Sequence, residues 1–508
     1  MSQSAPTQPA ARLDPKDVRS IIFGLMTVLL LAALDQTIVS TALPTIGRAL
    51  GDAQHLPWMV TAYLLASTVV TPLYGKLADV IGRRTTLLTA IGIFLLGSLL
   101  CSLSPNMLAL IGARALQGLG GGGLMSLVQT VISDVVTPQE RGRIQGVFAA
   151  VFTSASLGGP ILGGALSEHL GWASIFWVNL PVGAVALWVV SRGLMKLPRY
   201  DRPHRIDWLG AGLMTAAALI LMLAINTRGA GLMGVPVWAA YVVSGVFWLL
   251  FGLRLRFAAE PLIPTGILKD GVIVRAILVA TLSMGALMSV GAYNPIYIQL
   301  IYHLGPTAAG MVMTPLALGV VGGSILSGQV MARSKGKGYK ILPTAGLLVG
   351  AVMYAALAVI GDRLSLWAYI GALVVANAAV GSTFPVSTVV VQNSVERHQM
   401  GTATGVMNFF RSLGGAIMVA VFGAVLFGEI YALLGDSFNG ALSADTMSHV
   451  ADPARIYKPV FIGAAAAMGA AFLCLLTMEA RPLRSRDMPA AKAAEEAAGE
   501  TLSGADFH

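Results

Sequence analysis

Charge is scarce in this 508-residue chain. Asp, Glu, Lys and Arg make up only 11% of it and hydrophobic residues 56%, whereas a soluble globular protein carries about 25% charged residues. So few charges cannot cover a water-exposed surface, and the composition predicts a membrane protein. Cysteine is nearly absent: Cys101 and Cys474 each lie in an apolar run, which suggests neither a disulfide framework nor a cysteine metal site. There is no GxxxxGK(S/T) phosphate loop, and the glycine run at 120 to 123 falls inside an apolar segment, so nucleotide binding is not expected. The seven histidines are scattered without an HExxH pattern or a carboxylate cluster, so no metal centre, cofactor or enzyme active site is indicated.

What is present is a series of about fourteen apolar runs, each near the roughly 20 residues that cross a bilayer as a helix. The alternating ten-residue segments of a membrane barrel do not occur. The fold class expected is all-α and polytopic, with fourteen spans. The formal net charge of +9 is explained by placement. Lys76, Arg83, Arg84, Arg141, Arg143, Arg192, Lys196, Arg254, Arg256, Lys269, Arg333, Lys340 and Arg397 fall on alternate connections, together with Arg12, Lys16, Arg19 and Arg481 near the ends. By the positive-inside rule both termini are cytoplasmic, and nucleic acid is not an expected partner. The polar opening up to Ser20 lacks the pattern of a cleaved signal peptide.

The two halves of the chain resemble each other faintly. GKLADVIGRRTTLL at 75 to 88 is echoed by GQVMARSKGKGYKIL at 328 to 342, and TSASLGGPILGGAL at 153 to 166 more weakly by FFRSLGGAIMVAVF at 409 to 422. The organisation expected is a cytoplasmic tail (1–19), a six-helix bundle (20–200), a linker with two inserted spans (201–267), a second six-helix bundle (268–480) and a mobile cytoplasmic tail (481–508). Duplicated helical halves suit a transporter that rocks around a site near the midplane.

LAALDQTIVSTALP at 31 to 44 continues an apolar helix and so places Asp35 deep in a span. A carboxylate there costs about 2.5 to 3.5 kcal/mol on insertion scales, which calls for a function or a partner. Arg114, in an apolar run that starts at Met107, is the obvious partner, and Gln117 can add hydrogen bonds. An approaching guanidinium stabilises the carboxylate, and desolvation without it favours the acid. A two-state protein can load and release a proton by that difference. A purely structural acid bridging helices is the plainer alternative.

Four stretches carry a family resemblance: LDQTIVSTALP at 34 to 44, GKLADVIGRR at 75 to 84, RALQGLGGGG at 114 to 123 and ASLGGPILGG at 155 to 164, with GWASIFWVNLPVG at 171 to 183 fitting the same group. Nearly the whole chain resembles the major facilitator superfamily, specifically its fourteen-helix drug:proton antiporters of the EmrB/QacA type. The resemblance implies that Gly75, Asp79, Gly82, Arg83 and Arg84 form a cytoplasmic latch, with Asp79 meeting basic residues and helix ends of the other bundle. It implies a proton-coupling role for Asp35 and Arg114. It makes Gly159, Pro160, Gly163 and Gly164 an antiporter motif, one that importers mostly lack. Val80 departs from the usual basic residue, and Ala332 stands where the second copy of the latch needs an acid.

Gln36, Gln117, Gln129, Asn294, Gln299, Asn377 and Asn408 are candidate polar residues of a substrate cavity, with Tyr293, Tyr297, Met407, Phe409 and Phe410 as an adaptable apolar wall. Arg411, in NFFRSLGGA, is a second buried cation and a further cavity candidate; the resemblance implies an arginine common to the family rather than specific to one substrate, and a structural bond to backbone carbonyls is an equal reading of it. The function expected is proton-coupled efflux of amphiphilic compounds, lipophilic cations first, by a protein that works as a monomer in a bacterial inner membrane and needs only the proton motive force. Export of neutral or anionic amphiphiles, and proton-coupled nutrient uptake, are the alternatives.

Overall fold

The computed structural model describes residues 14–51, 55–196, 206–226, 236–304, 306–333, 338–434 and 453–481. The expected tails up to residue 13 and from 482 onward, and most of the polar loop before the inserted spans, lie outside the described residues.

The chain is helical throughout the described residues, as lipid requires: inside hydrocarbon each backbone N–H must find its partner within its own segment. The first bundle comprises α1 (Pro15–Leu50), α2 (Leu56–Val80), α3 (Arg83–Ser102), α4 (Met107–Val135), α5 (Pro138–His169), the single turn α6 (Ser174–Trp177) and α7 (Asn179–Gly193). The inserted pair is α8 (Trp208–Asn226) and α9 (Val237–Phe257); the short α10 (Thr265–Lys269) leads into the second bundle. That bundle comprises α11 (Gly271–Ile301), α12 (Pro306–Arg333), α13 (Ile341–Ile360), α14 (Leu366–Asn393), α15 (Met400–Leu434) and α16 (Pro453–Thr477).

Among the described residues, twelve helices are long and apolar enough to cross a membrane. Helices α2 and α4 match them in length but are not among the twelve. Their threonines, glycines and glutamines lower their hydropathy, so composition supports twelve of the fourteen expected spans. Those same residues serve packing. Added side-chain carbons would sit 2.3 Å from a Phe94 backbone atom at Gly120 and 2.1 Å from the Ser67 carbonyl at Gly122. The glycine run therefore lets α4 wedge between α3 and α2, a close approach of the kind that small residues permit.

Helix starts follow local chemistry. At α5, Thr137 and Glu140 form a reciprocal capping box, with the Thr137 N–H donating to Glu140 at 2.9 Å and the Glu140 N–H to Thr137 at 3.4 Å, and Pro138 fills the first helical position. At α11, Asp270 accepts from the Val272 N–H at 2.8 Å and from Arg481 at 2.6 Å, tying the chain beyond α16 to the second bundle. Burial pushes the Asp270 carboxyl up, but Arg481 and the helix N–H groups outweigh it and hold it below its ordinary value.

The two bundles meet mainly along α2–α15 and α5–α12, with α4–α15 and α5–α14 adding to the seam, whereas α1 and α11, the first helix of each bundle, do not pack along each other. Both main crossings depend on paired glycines. A carbon on Gly75 would lie 2.3 Å from the Gly401 carbonyl, and one on Gly328 would lie 2.0 Å from the Gly142 carbonyl. Inserted helix α8 seats against α2 and α15 on the flank of that seam, held to α9 by Ser244, whose hydroxyl donates to the Ala217 carbonyl at 2.8 Å.

Candidate functional site

Asp35 is 1% exposed, in the interior of the first bundle. Both its oxygens are engaged. Oδ2 accepts from Arg114 at 2.8 Å, and Oδ1 accepts from Gln117 and from Asn179, each at 2.8 Å. Arg114 also donates to Gln117 Oε1 at 2.6 Å, so acid, guanidinium and amide close a ring. Asn179 donates further to the Ser98 hydroxyl at 2.9 Å, which itself donates to the Phe176 carbonyl at 3.0 Å. The network thus joins α1, α3, α4 and the start of α7. The Arg114 guanidinium carbon lies 4.3 Å from the Tyr63 ring centroid, and its Nε has no hydrogen-bond partner. Tyr63 is buried and Gln36, exposed, reaches its hydroxyl.

The carboxylate is compensated by the guanidinium and by two amide donors, and the guanidinium by the carboxylate. Removing a buried charge from such a pair leaves the other without compensation, at a cost of about 3 to 5 kcal/mol.

Two residues after Asp35, the Thr37 hydroxyl donates to the Ala155 carbonyl at 3.0 Å. Gly159 and Gly163 are the reason α5 can lie so close: a carbon on Gly159 would sit 2.0 Å from Thr37 Oγ1, and one on Gly163 2.3 Å from Thr41 Oγ1. Pro160 and Gly164 face away from this contact, Pro160 being exposed and Gly164 having open space where a side chain would be.

The Asp79 cluster lies at the end of the seam where α15 begins. Asp79 accepts from the Gly401 N–H at 3.1 Å and from the Thr402 N–H and hydroxyl at 2.7 Å each, and it pairs with Arg83. A carboxylate from the first bundle thus caps the N-terminus of a helix in the second, where the helix dipole and free N–H groups favour negative charge. Arg83 reaches on to Asp134 at 3.0 Å. Arg84 turns away and donates to the Ser191 carbonyl of its own bundle at 3.1 Å. Gly82 has φ of 94°, a left-handed conformation that glycine adopts without strain, and it turns the chain from α2 into α3. A cleft of about 210 Å³ borders the cluster, with Lys76, Glu260 and His398 on its wall.

Above this end, polar side chains stitch the bundles together. Asn408 donates to Gln129 Oε1 at 2.9 Å, and Gln392 donates to the Gln129 carbonyl at 3.3 Å and to Thr404 at 3.2 Å. Arg411 lies one turn further along α15, 8% exposed, with the Met125 sulfur at 3.7 Å and the Phe384 ring centroid at 5.6 Å.

The remaining cavity candidates gather inside the second bundle. Tyr297 stacks on Tyr369 at 5.0 Å between centroids, beside Tyr457 and Phe461, and Tyr369 donates to Asn294. Asn377 accepts from Tyr354 at 3.2 Å, and Tyr293 donates to the Val419 carbonyl at 2.8 Å. Asn294, Tyr297 and Asn377 are at most 5% exposed. They stand apart from the Asp35 network, as part of the second bundle's core.

Sequence reasoning missed Asn179, Ser98, Tyr63 and Gln392 as members of these networks. Asn179 had a signal: it is the one amide in the apolar stretch FWVNLPVG. Tyr63 and Ser98 had none, because a tyrosine or serine in a span is usually ordinary packing.

Two bundles of membrane-length helices, with a buried charge network in one of them and a glycine seam between them, define a polytopic membrane protein. A family model described as Major Facilitator Superfamily matches residues 25–419, and the chain belongs to that superfamily. Among curated proteins, Multidrug resistance protein 3 of Bacillus subtilis (strain 168) is 30% identical over 443 residues, covering 86% of each chain. Multidrug transporter protein MdtP of the same organism is 33% identical over 417 residues, covering 80% of this chain and 75% of its own. Among solved structures, the human organic anion transporter MFSD10 aligns with a TM-score of 0.65 at 17% identity, over 91% of this chain and all 100% of the other, a likeness of fold alone. The chain is thus a multi-pass membrane transporter of that superfamily.

Proposed function

We propose that the protein is a proton-driven antiporter that exports amphiphilic compounds by alternating access, with Asp35 as the proton carrier. The observation that carries this reading is the closed ring of Asp35, Arg114, Gln117 and Asn179 buried in one bundle. A buried acid is expensive in lipid and repays that cost when its protonation changes with conformation. The names of the two Bacillus relatives support export over nutrient uptake.

In this reading α2 and α4 also cross the membrane, as their lengths allow, giving fourteen spans of the EmrB/QacA type. The membrane is a bacterial cytoplasmic one and both termini face the cytoplasm. The Asp79 end is then the cytoplasmic end, and the packing along α2–α15 and α5–α12 closes it, so the conformation faces outward. Asp79 on the α15 N-terminus is the latch that must open for substrate to enter from inside. Gly159 and Gly163 keep α5 against the helix that carries Asp35, so a change at Asp35 is felt by the helix that forms the second seam. The proton motive force is the sole energy source: each elementary charge moved across 100 mV contributes about 2.3 kcal/mol. One protomer holds the whole machinery.

The test is Asp35→Asn in proteoliposomes with an imposed pH gradient. The amide keeps an oxygen for Arg114 but cannot exchange a proton. The expected result is loss of proton-driven export with the protein still folded by size-exclusion and thermal unfolding. Undiminished gradient-driven export by this variant would overturn the coupling role.

A further inference from the structure

Along three helices that converge between the bundles, burial is nearly continuous and breaks at one place. From Gly120 to Ser133 of α4, Met125 is the one residue that is not buried; from Ala379 to Asn393 of α14 it is Phe384; and from Met400 of α15 the first is Phe410. Met125 and Phe384 are the two side chains that meet Arg411, and Phe410 precedes it in the chain. Met125 belongs to the first bundle and Arg411 and Phe384 to the second, so the break in burial at these contacts lies on the seam between the bundles. On the Asp79 side of it the amide layer of Gln129, Asn408 and Gln392 seals the seam. Arg411 is therefore the cation at this break.

Its surroundings are unusual for a buried charge. Arg114 has Asp35, Arg83 has Asp79 and Asp134, Asp207 has Arg254, and Arg141 reaches the Val136 carbonyl and Gln392. Arg411 meets a thioether and an aromatic face, and among the described residues no acid pairs with it. A guanidinium desolvated to this degree without an anion is costly, and it is the arrangement that a ligand's negative charge relieves. A sulfonate or carboxylate offers a planar fork of donors what it lacks, while Met125, Phe384 and Phe410 suit an apolar body. Asp35 offers a cation no such place, because both its oxygens are already engaged.

We propose that Arg411 is the binding group for the negative charge of the substrate, and that the protein takes amphiphilic organic anions in preference to cations. This rests on the export reading for its direction of transport, whereas the binding itself does not.

The experiment uses the full chain in nanodiscs, in Tris chloride buffer, with three fluorescent probes: anilinonaphthalene sulfonate, the uncharged phenylnaphthylamine with the same ring framework, and ethidium as the cation. The sulfonate is expected to bind wild-type protein at least about tenfold more tightly than the uncharged probe, the difference that a hydrogen-bonded charge makes. Arg411→Gln removes that difference, Arg411→Lys keeps part of it, and neither changes binding of the uncharged probe by more than about threefold. A folded Arg411→Gln protein that binds the sulfonate as wild type does would overturn the proposal. So would wild-type protein that favours ethidium or does not distinguish the sulfonate from its uncharged analogue, and this second measurement decides even if the glutamine variant does not fold. Asp35→Asn separates the two readings, since it is expected to stop proton-driven export and leave sulfonate binding in place. Export that survives in Asp35→Asn sinks the antiport reading and not the anion site.

Discussion

The two bundles share an architecture and differ in what they bury. The first encloses a compensated pair, Asp35 with Arg114, wrapped by Gln117 and Asn179. The second encloses tyrosines stacked and edge-packed around Tyr297, with asparagines answering their hydroxyls, and it carries Arg411 at the seam with no acid paired to it among the described residues. The seams differ in the same sense. Gly75 against Gly401 and Gly328 against Gly142 are near copies, but Asp79 caps the neighbouring helix at the first and Ala332 stands in the corresponding place at the second. Duplication kept the backbone contacts, which any small residue satisfies. It let the ionisable chemistry collect in one half.

The sharpest break in this comparison comes from Arg114→Met, which strands a buried carboxylate. It is expected to cost about 3 to 5 kcal/mol, read as a fall in unfolding midpoint in nanodiscs. Asp35→Asn combined with Arg114→Met recovers part of that loss; a double variant no more stable than the single one would break the claim that the pair is coupled. Next is the latch. Asp79→Ala removes three acceptor contacts to the start of α15 and is expected to cost the closed seam about 1.5 to 3 kcal/mol. Labelling of a cysteine introduced at Gln399 then rises from the cytoplasmic side, and an unchanged rate argues against a latch. Ala332→Asp, at the other seam, is expected to leave that labelling alone.

In the second bundle, Tyr369→Phe leaves the Asn294 oxygen unmet and should cost about 1 to 2 kcal/mol of stability without altering the pH dependence of export. A shifted pH profile would mean that the tyrosine cluster takes part in coupling. The smallest effect lies at the end of the chain. Because Arg481 and helix N–H groups hold Asp270 below its ordinary value, their contribution is present above the unfolded aspartate value of about 3.9 and is lost as pH falls through the folded one. Asp270→Asn should therefore lower stability at pH 6 by about 1 kcal/mol or less, and the difference should shrink as the pH is taken below the ordinary aspartate value.

Much of this was legible in the sequence. Long apolar runs gave the helices their places, and the rarity of charge in those runs singled out Asp35, Arg114 and Arg411 before any packing was known. The spans that composition undersells, α2 and α4, are those whose glycines, threonines and glutamines serve helix contacts rather than lipid. Less legible were the polar residues of ordinary kind. Gln129 and Asn408 meet across the seam, but Asn294 and Asn377, of the same type and in similar runs, answer tyrosines inside one bundle. Helical periodicity cannot separate those cases when a helix is apolar on every face.

By itself the sequence determined that this chain lives in a membrane as a duplicated set of helices, and which few charges it must carry there, because transfer into lipid penalises each charge wherever the helix goes. Only the tertiary structure decided which charge has a partner. Asp35 and Arg114 are 79 residues apart in the chain, and their 2.8 Å contact exists because glycines let four helices close around it. Arg411 lies in an equally apolar run, yet the packing brings it a sulfur and a ring. The cost of burial is written in composition, and its compensation depends on distance, which only packing sets.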